Sequence, residues 1–302
     1  MNQNISCITL GGIKMPINEF GFLGKDIKQY ENKLKTKYKE VFDFYEEFNN
    51  FLNISKFNIK LRNDDFQGAM IIRTFNKSLT TFQAIYKLYR HYFCNNAENL
   101  CRILFEEMVN VCYCVLGLNE AKRFYSLEII NALKIINEVN NPKNKEYFTK
   151  SDKEEYFKKK SHSEMKKDLI NILRNLEIKD IFDKNNKPVA ISLEERANKV
   201  GSKAIKQHYL MFYRIASVGV HSLPNLSGRY LIYDKNGLLK KLPWGPESED
   251  CEIASIFVSI HFMVMILEYI HKYFGYPKKE DISKFWGRTQ ELGYKYKYFI
   301  WK

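Results

Sequence analysis

Arg214, Ser217 and His221 carry the clearest chemical pattern in the chain: a permanent cation, a hydroxyl and an imidazole at spacings of three and four residues. On a helix, seven residues turn through about 700°, so Arg214 and His221 leave one face about 10 Å apart along the axis. Ser217 falls between them on the same stripe. A guanidinium can hold non-bridging phosphate oxygens, an imidazole can move a proton near neutral pH, and a hydroxyl can orient either. The set suits a phosphodiester. The competing reading of His221 is a histidine at a helix C-terminus, interacting with unpaired carbonyls.

The surrounding stretch is basic. Between Lys199 and Lys241 lie eight basic residues, among them Lys203, Lys206, Arg229 and Lys240, and a single acid, Asp234. Tyr209, Tyr213, Tyr230 and Tyr233 are interleaved with them, offering phosphate contacts and base-stacking faces together. The plain alternative is a basic rim around core aromatics. A second polar line, Asn99, Arg102, Glu106 and Asn110, recurs every three or four residues within otherwise apolar helical text. Arg102 and Glu106 can pair at i,i+4, either as an exposed ion pair or as part of a buried network retained for a site.

Two blocks of sequence resemble a known family. Ala97-Glu-Asn-Leu-Cys-Arg102-Ile-Leu-Phe-Glu106 resembles the Arg-x-x-x-Glu helix of the bacterial domain-of-unknown-function 5677 family. The second block is Ser192-Leu-Glu-Glu195-Arg196-Ala197, followed by Tyr209, Tyr213-Arg214, Ser217 and His221-Ser222. That family is similar to the HEPN superfamily of helical, often dimeric proteins, many of them metal-independent ribonucleases of toxin, abortive-infection and phage-defence systems. The resemblance implies an all-α, HEPN-like helical bundle. It casts Arg214, His221 and Ser217 as catalytic, and Arg102, Glu106, Tyr213 and Ser222 as residues that hold them. Lys199, Lys203, Lys206, Arg229, Lys240 and Lys241 would bind RNA, with tRNA a candidate substrate. It further implies a homodimer through the 204–222 helix, no cofactor or metal, and restraint by a regulatory partner protein. In the superfamily a polar residue often follows the motif arginine, whereas Ile215 stands here. The alternative function is a non-catalytic module, sensor or antitoxin-like, binding RNA, a nucleotide or a protein. A third reading attaches the basic residues and the aromatic C-terminus (Tyr294, Tyr296, Tyr298, Phe299, Trp301) to anionic lipid.

Periodicity predicts the elements that must position these residues. Amphipathic helices are expected from Asp26 to Leu52, from Gln67 to Phe93, and from beyond Asn96 to Gly117, taken as a C′ glycine. Another runs from Glu120 to Asn140. Ser151-x-x-Glu154 and Ser192-x-x-Glu195 read as capping boxes, the second opening a helix that Gly201 ends. A helix over 204–221 follows, then a small β-hairpin insertion at about 229–242. The last helices are expected over 252–273 and 281–292. The division expected is an N-terminal arm and long helix (1–65), a helical domain (66–276) and a C-terminal helix with its tail (277–302).

Composition bounds the rest. The chain has 302 residues, 45% hydrophobic and 15% aromatic, with only 14 Gly and 7 Pro. This favours a helical, ring-rich core over turn-rich β architectures. A formal charge of +13 fits a polyanionic partner. No Cys-x-x-Cys pair occurs, and Cys94, Cys101, Cys112 and Cys114 read as buried free thiols. With no signal-peptide pattern at the start, a cytoplasmic location is expected. Ile253–Leu267 is apolar over fifteen residues, too short to span hydrocarbon, and reads as a core helix rather than a transmembrane segment. Among the histidines outside the stripe, His208 reads as structural ahead of a peripheral RNA contact, and His261 as a core histidine ahead of a network member, requiring a hydrogen-bond partner if buried.

Overall fold

A computed structural model describes residues 9–10, 13–14, 23, 27–144, 146–147, 161–213, 232–233, 235–236, 239–241 and 253–297. The architecture is all-helical, as the composition predicts. The helices are α1 (Ile27–Lys37), α2 (Lys39–Asn58), α3 (Phe66–Arg90), α4 (Cys94–Val115), α5 (Leu118–Val139), α6 (His162–Asn175), α7 (Leu193–Val200), α8 (Lys203–His208), α9 (Ala254–Phe274) and α10 (Lys279–Lys295). A π-helical turn, Tyr209–Tyr213, continues α8. Extended pairing among the described residues is minimal: β1 (Thr9–Leu10) with β2 (Ile13–Lys14), β3 (Ile232–Tyr233) with β4 (Leu239–Lys241), and a single bridge between Phe182 and Pro188, all antiparallel.

The chain divides into two compact units built from non-consecutive segments. The first comprises residues 1–60, 75–108 and 203–302; the second comprises 61–74 and 109–202. α3 and α4 therefore each contribute one part to one unit and the remainder to the other.

The first unit is organised on rings. Tyr45 stacks on Phe82 with centroids 4.0 Å apart, and its hydroxyl donates to the Phe82 carbonyl at 2.7 Å. Phe285 of α10 packs against Phe44, Phe48 and Phe51 of α2. α9 is almost wholly buried, from Ser255 to Leu267 and again at Ile270. The helix matches the one expected over 252–273: it has 21 residues, long and apolar enough by composition to cross a membrane, with 83% of its most apolar window buried inside the protein. It runs past Glu268 because the charges of its last turn lie on one side, and Gly275 ends it at φ 69°.

The second unit has an aliphatic centre. Ile129, Ile130 and Leu133 of α5 meet Leu173 of α6 together with Ile178 and Ile181. A capping box at Ser161 and Glu164 opens α6, and the expected one at Ser192 and Glu195 opens α7. Gly201 ends α7 in the left-handed region, φ 74°, which a glycine enters without strain.

Several expectations need correction. The single helix expected over 26–52 breaks at Tyr38, φ −119° and ψ 28°, between α1 and α2. Gly117 is not a left-handed C′ residue. Its backbone is extended, φ 170°, and it stands just before α5. α4 begins at Cys94, ahead of the two asparagines taken as its boundary. Cys101, Cys112 and Cys114 are buried free thiols, but Cys94 is disulfide-bonded. The Ser151 capping box lies outside the described residues, as does much of the 229–242 segment.

Candidate functional site

Within the first unit, the polar line of α4 meets the end of the α8 helix. Arg102 Nη2 donates to the Tyr213 hydroxyl at 3.0 Å, and that hydroxyl donates to Glu106 Oε1 at 3.0 Å. Arg102 Nε lies 3.6 Å from the same carboxylate oxygen. The guanidinium also sits over the Tyr213 ring, 4.8 Å from its centroid. One phenol thus bridges a cation and a carboxylate while its ring face is held by the cation. All three residues are half-buried, between the exposed ion pair and the buried network that the sequence left open.

Rings support the cluster from behind. Tyr209 stacks on Tyr213 at 5.3 Å and 15°, Phe105 lies 5.6 Å from Tyr213, and Phe105 contacts Phe262 of α9 at 5.4 Å. The π-helical turn ends at Tyr213 and widens the backbone there relative to an α-helix. Tyr213 is the last residue described there, and Arg214, Ser217, His221, Ser222 and Arg229 lie outside the described residues.

One turn before the cluster, His208 meets His261. Their Nε2 atoms are 2.9 Å apart in a buried contact. Phe262 and Trp286 complete the surroundings. Burial lowers His208 to about 4, and burial with the neighbouring His208 lowers His261 to about 3. Both rings are therefore neutral at physiological pH. The sequence anticipated two structural histidines but not that they satisfy each other.

A buried carboxylate one position from Glu106 was missed. Glu107 is 2% exposed and accepts from Thr81 Oγ1 at 3.1 Å, with Lys77 Nζ at 3.6 Å. Burial raises its carboxyl to about 7. The available signal was an acid on the apolar side of α4, between Leu104 and Val111.

The expected RNA-binding lysines are not equivalent. Lys203 and Lys206 are exposed on α8. Lys199 is ion-paired with Glu120 Oε1 at 2.7 Å within the second unit. Lys240 and Lys241 lie in β4. In that second unit Arg196, buried at 8% exposure, donates to the Ile191 carbonyl at 2.8 Å and lies over Phe124. Arg196 thereby anchors α7, a structural reason for its place in the second sequence block. Among the described residues, no group of three or more His, Cys, Asp or Glu side chains is placed to hold a metal ion.

An all-helical chain with an Arg–Tyr–Glu cluster and a basic, tyrosine-rich segment is the class these features define. Residues 68–238 match a family of unknown function, domain of unknown function 5677, and the chain belongs to it. The matched span includes Arg102, Glu106, Arg196, Tyr213 and the Arg214–His221 stripe. No curated protein and no solved structure matches the chain.

Proposed function

We propose that this protein is a metal-independent endoribonuclease of the HEPN type, acting in a toxin or phage-defence system in the cytoplasm. The observation that carries the reading is the Arg102–Tyr213–Glu106 cluster, which fixes the residue immediately before Arg214. A guanidinium that must meet a phosphate needs a backbone held in place, and a bridged phenol one residue earlier supplies that anchorage.

In this mechanism the ribose 2′-hydroxyl attacks the adjacent phosphorus, and the 5′-oxygen of the next nucleotide leaves. The products are a 2′,3′-cyclic phosphate and a 5′-hydroxyl. His221 takes or returns a proton, Arg214 stabilises charge on the non-bridging oxygens, Ser217 orients a phosphate or His221, and Ser222 helps to hold the set. Two proton transfers call for more than one Arg–His pair, so a homodimer joins two copies through the 204–222 helix. Leu210, 54% exposed on the π-helical turn, supports that surface. Lys203 and Lys206, with Arg229 and a 229–242 hairpin carrying Lys240 and Lys241, track the RNA backbone. tRNA is the first substrate to try, and a partner protein would restrain activity in the cell.

The test is cleavage of total tRNA in EDTA by wild type and His221→Ala. Cyclic-phosphate ends that vanish in the variant are the expected result. RNA that is bound but left intact by both proteins would overturn the nuclease reading in favour of a non-catalytic RNA-binding module.

A further inference from the structure

The first unit contains a polar groove, formed by α1, α2 and α3, and none of its lining belongs to the Arg102 cluster. Two adjoining cavities of about 320 Å³ each share Lys87 and Arg90. Each is at the lower end of the size range of small-molecule sites. The helices α2 and α3 run antiparallel here, as three sets of contacts show: Gln83 Nε2 donates to Asn49 Oδ1 at 3.0 Å, Arg90 Nη1 donates to Glu46 Oε1 at 3.2 Å, and Phe42 packs on Tyr86.

The chemistry changes along this groove. One end carries three carboxamides, Asn49, Asn50 and Gln83. The middle carries the Glu46 carboxylate, which accepts from the Tyr86 hydroxyl and from Arg90. The other end carries Lys87 and Arg90, joined by Lys35 and by His91, whose Nδ1 lies 2.8 Å from Glu31. From Gln83 to Arg90 is seven helical residues, on the order of 10 Å. That is comparable to the reach from a nucleobase edge to the second phosphate of a nucleotide.

We propose that this groove binds a nucleoside di- or triphosphate. The carboxamides, each offering a donor and an acceptor, read the base edge. Glu46 accepts from the ribose hydroxyls, and Lys35, Lys87 and Arg90 hold the phosphates. Carboxamides pair in bidentate fashion with the adenine N6 and N7 edge, which makes ATP the first probe. A simple anion would use only the cationic end and would leave the amide end without a purpose.

The experiment is calorimetric titration of the full-length chain with ATP, adenosine and inorganic pyrophosphate, at fixed salt. ATP should bind at least about tenfold more tightly than either fragment, about 1.4 kcal/mol. Lys35→Ala/Lys87→Ala should weaken ATP by about tenfold or more and should abolish pyrophosphate binding. Gln83→Leu should weaken ATP but leave pyrophosphate unchanged. Lys35, Lys87 and Gln83 are all exposed, so these variants should retain the fold, with circular dichroism as the check. Pyrophosphate binding as tightly as ATP would overturn the nucleotide site. So would ATP binding that ignores all three substitutions, or no binding by any of the three probes at millimolar concentration. The result is independent of RNA cleavage, so this proposal and the nuclease reading fail separately.

Discussion

The Nε2 atoms of His208 and His261 face each other at 2.9 Å, and Nδ1 of His261 is buried without a hydrogen-bond partner. A hydrogen bond between two imidazole nitrogens needs one N–H and one lone pair. A buried N–H without an acceptor costs more than a bare lone pair, so the His261 proton is assigned to Nε2, which donates to His208, and Nδ1 keeps its lone pair. The pair joins α8 to the buried α9, whose Phe262 packs on Phe105 behind Tyr213.

Acid should therefore unlock this contact. The folded values of about 4 and about 3 lie below the ordinary histidine value of 6.5, so the unfolded chain binds these protons first. Stability from the pair is full above about pH 6.5 and declines as pH falls towards 4 and then 3. Denaturant unfolding across pH 7.5 to 4.5 should show this loss, and His261→Leu should flatten the slope. An unchanged slope in that variant would place the acid sensitivity elsewhere.

Glu107 should act in the opposite sense. Its folded value of about 7 lies above the ordinary carboxyl value of 4.5, so its contribution is present below pH 4.5 and is lost as pH rises through 7. Glu107→Gln keeps an acceptor for Thr81 and removes the buried charge. The variant should gain about 1–3 kcal/mol at pH 8 and little at pH 5. A loss of stability at pH 8 would mean that the Lys77 contact outweighs the burial cost.

Tyr213→Phe removes the bridging hydroxyl while keeping the ring under Arg102. The expected cost is about 1 kcal/mol in global stability, because Arg102 and Glu106 still face each other at 3.6 Å. RNA cleavage should fall by about tenfold with RNA affinity unchanged, as expected of a positioning residue. Equal losses in cleavage and affinity would point instead to a direct RNA contact.

Lys203 and Lys206 should each contribute about one unit to the salt dependence of RNA binding when replaced by Ala. Lys199→Ala should contribute less, because Glu120 already neutralises that charge. Filter binding at several salt concentrations measures both. Equal slopes for all three variants would show that RNA displaces Glu120 from Lys199.

Legibility followed the range of the interactions. Ser192, Glu195 and Gly201 were read correctly because a capping box and a left-handed glycine are settled within a few residues. Gly117 was misread because a glycine between two helices serves equally as the end of one or the approach to the next. The i,i+4 pairing of Arg102 with Glu106 was visible on one helix, but its bridge by Tyr213 spans 107 positions from Glu106. His208 and His261 are 53 residues apart, and no local pattern announces that two isolated histidines will satisfy each other. The π-helical turn was also invisible, since helical periodicity assumes the 3.6-residue repeat that the turn interrupts.

The interleaving of the two units has a consequence for the order in which the chain is born. Every segment of the second unit, 61–74 and 109–202, leaves the ribosome before residue 203 does. The first unit must wait for α8, α9 and α10, while ring-rich helices α2 and α3 stand without the partners that will cover them. At a synthesis rate of roughly 5–20 residues per second, that wait is on the order of 5–20 s for the last hundred residues. Tyr213 follows both segments of the second unit along the chain, so a nascent chain carries Arg102 and Glu106 without their bridge until that whole unit has been made.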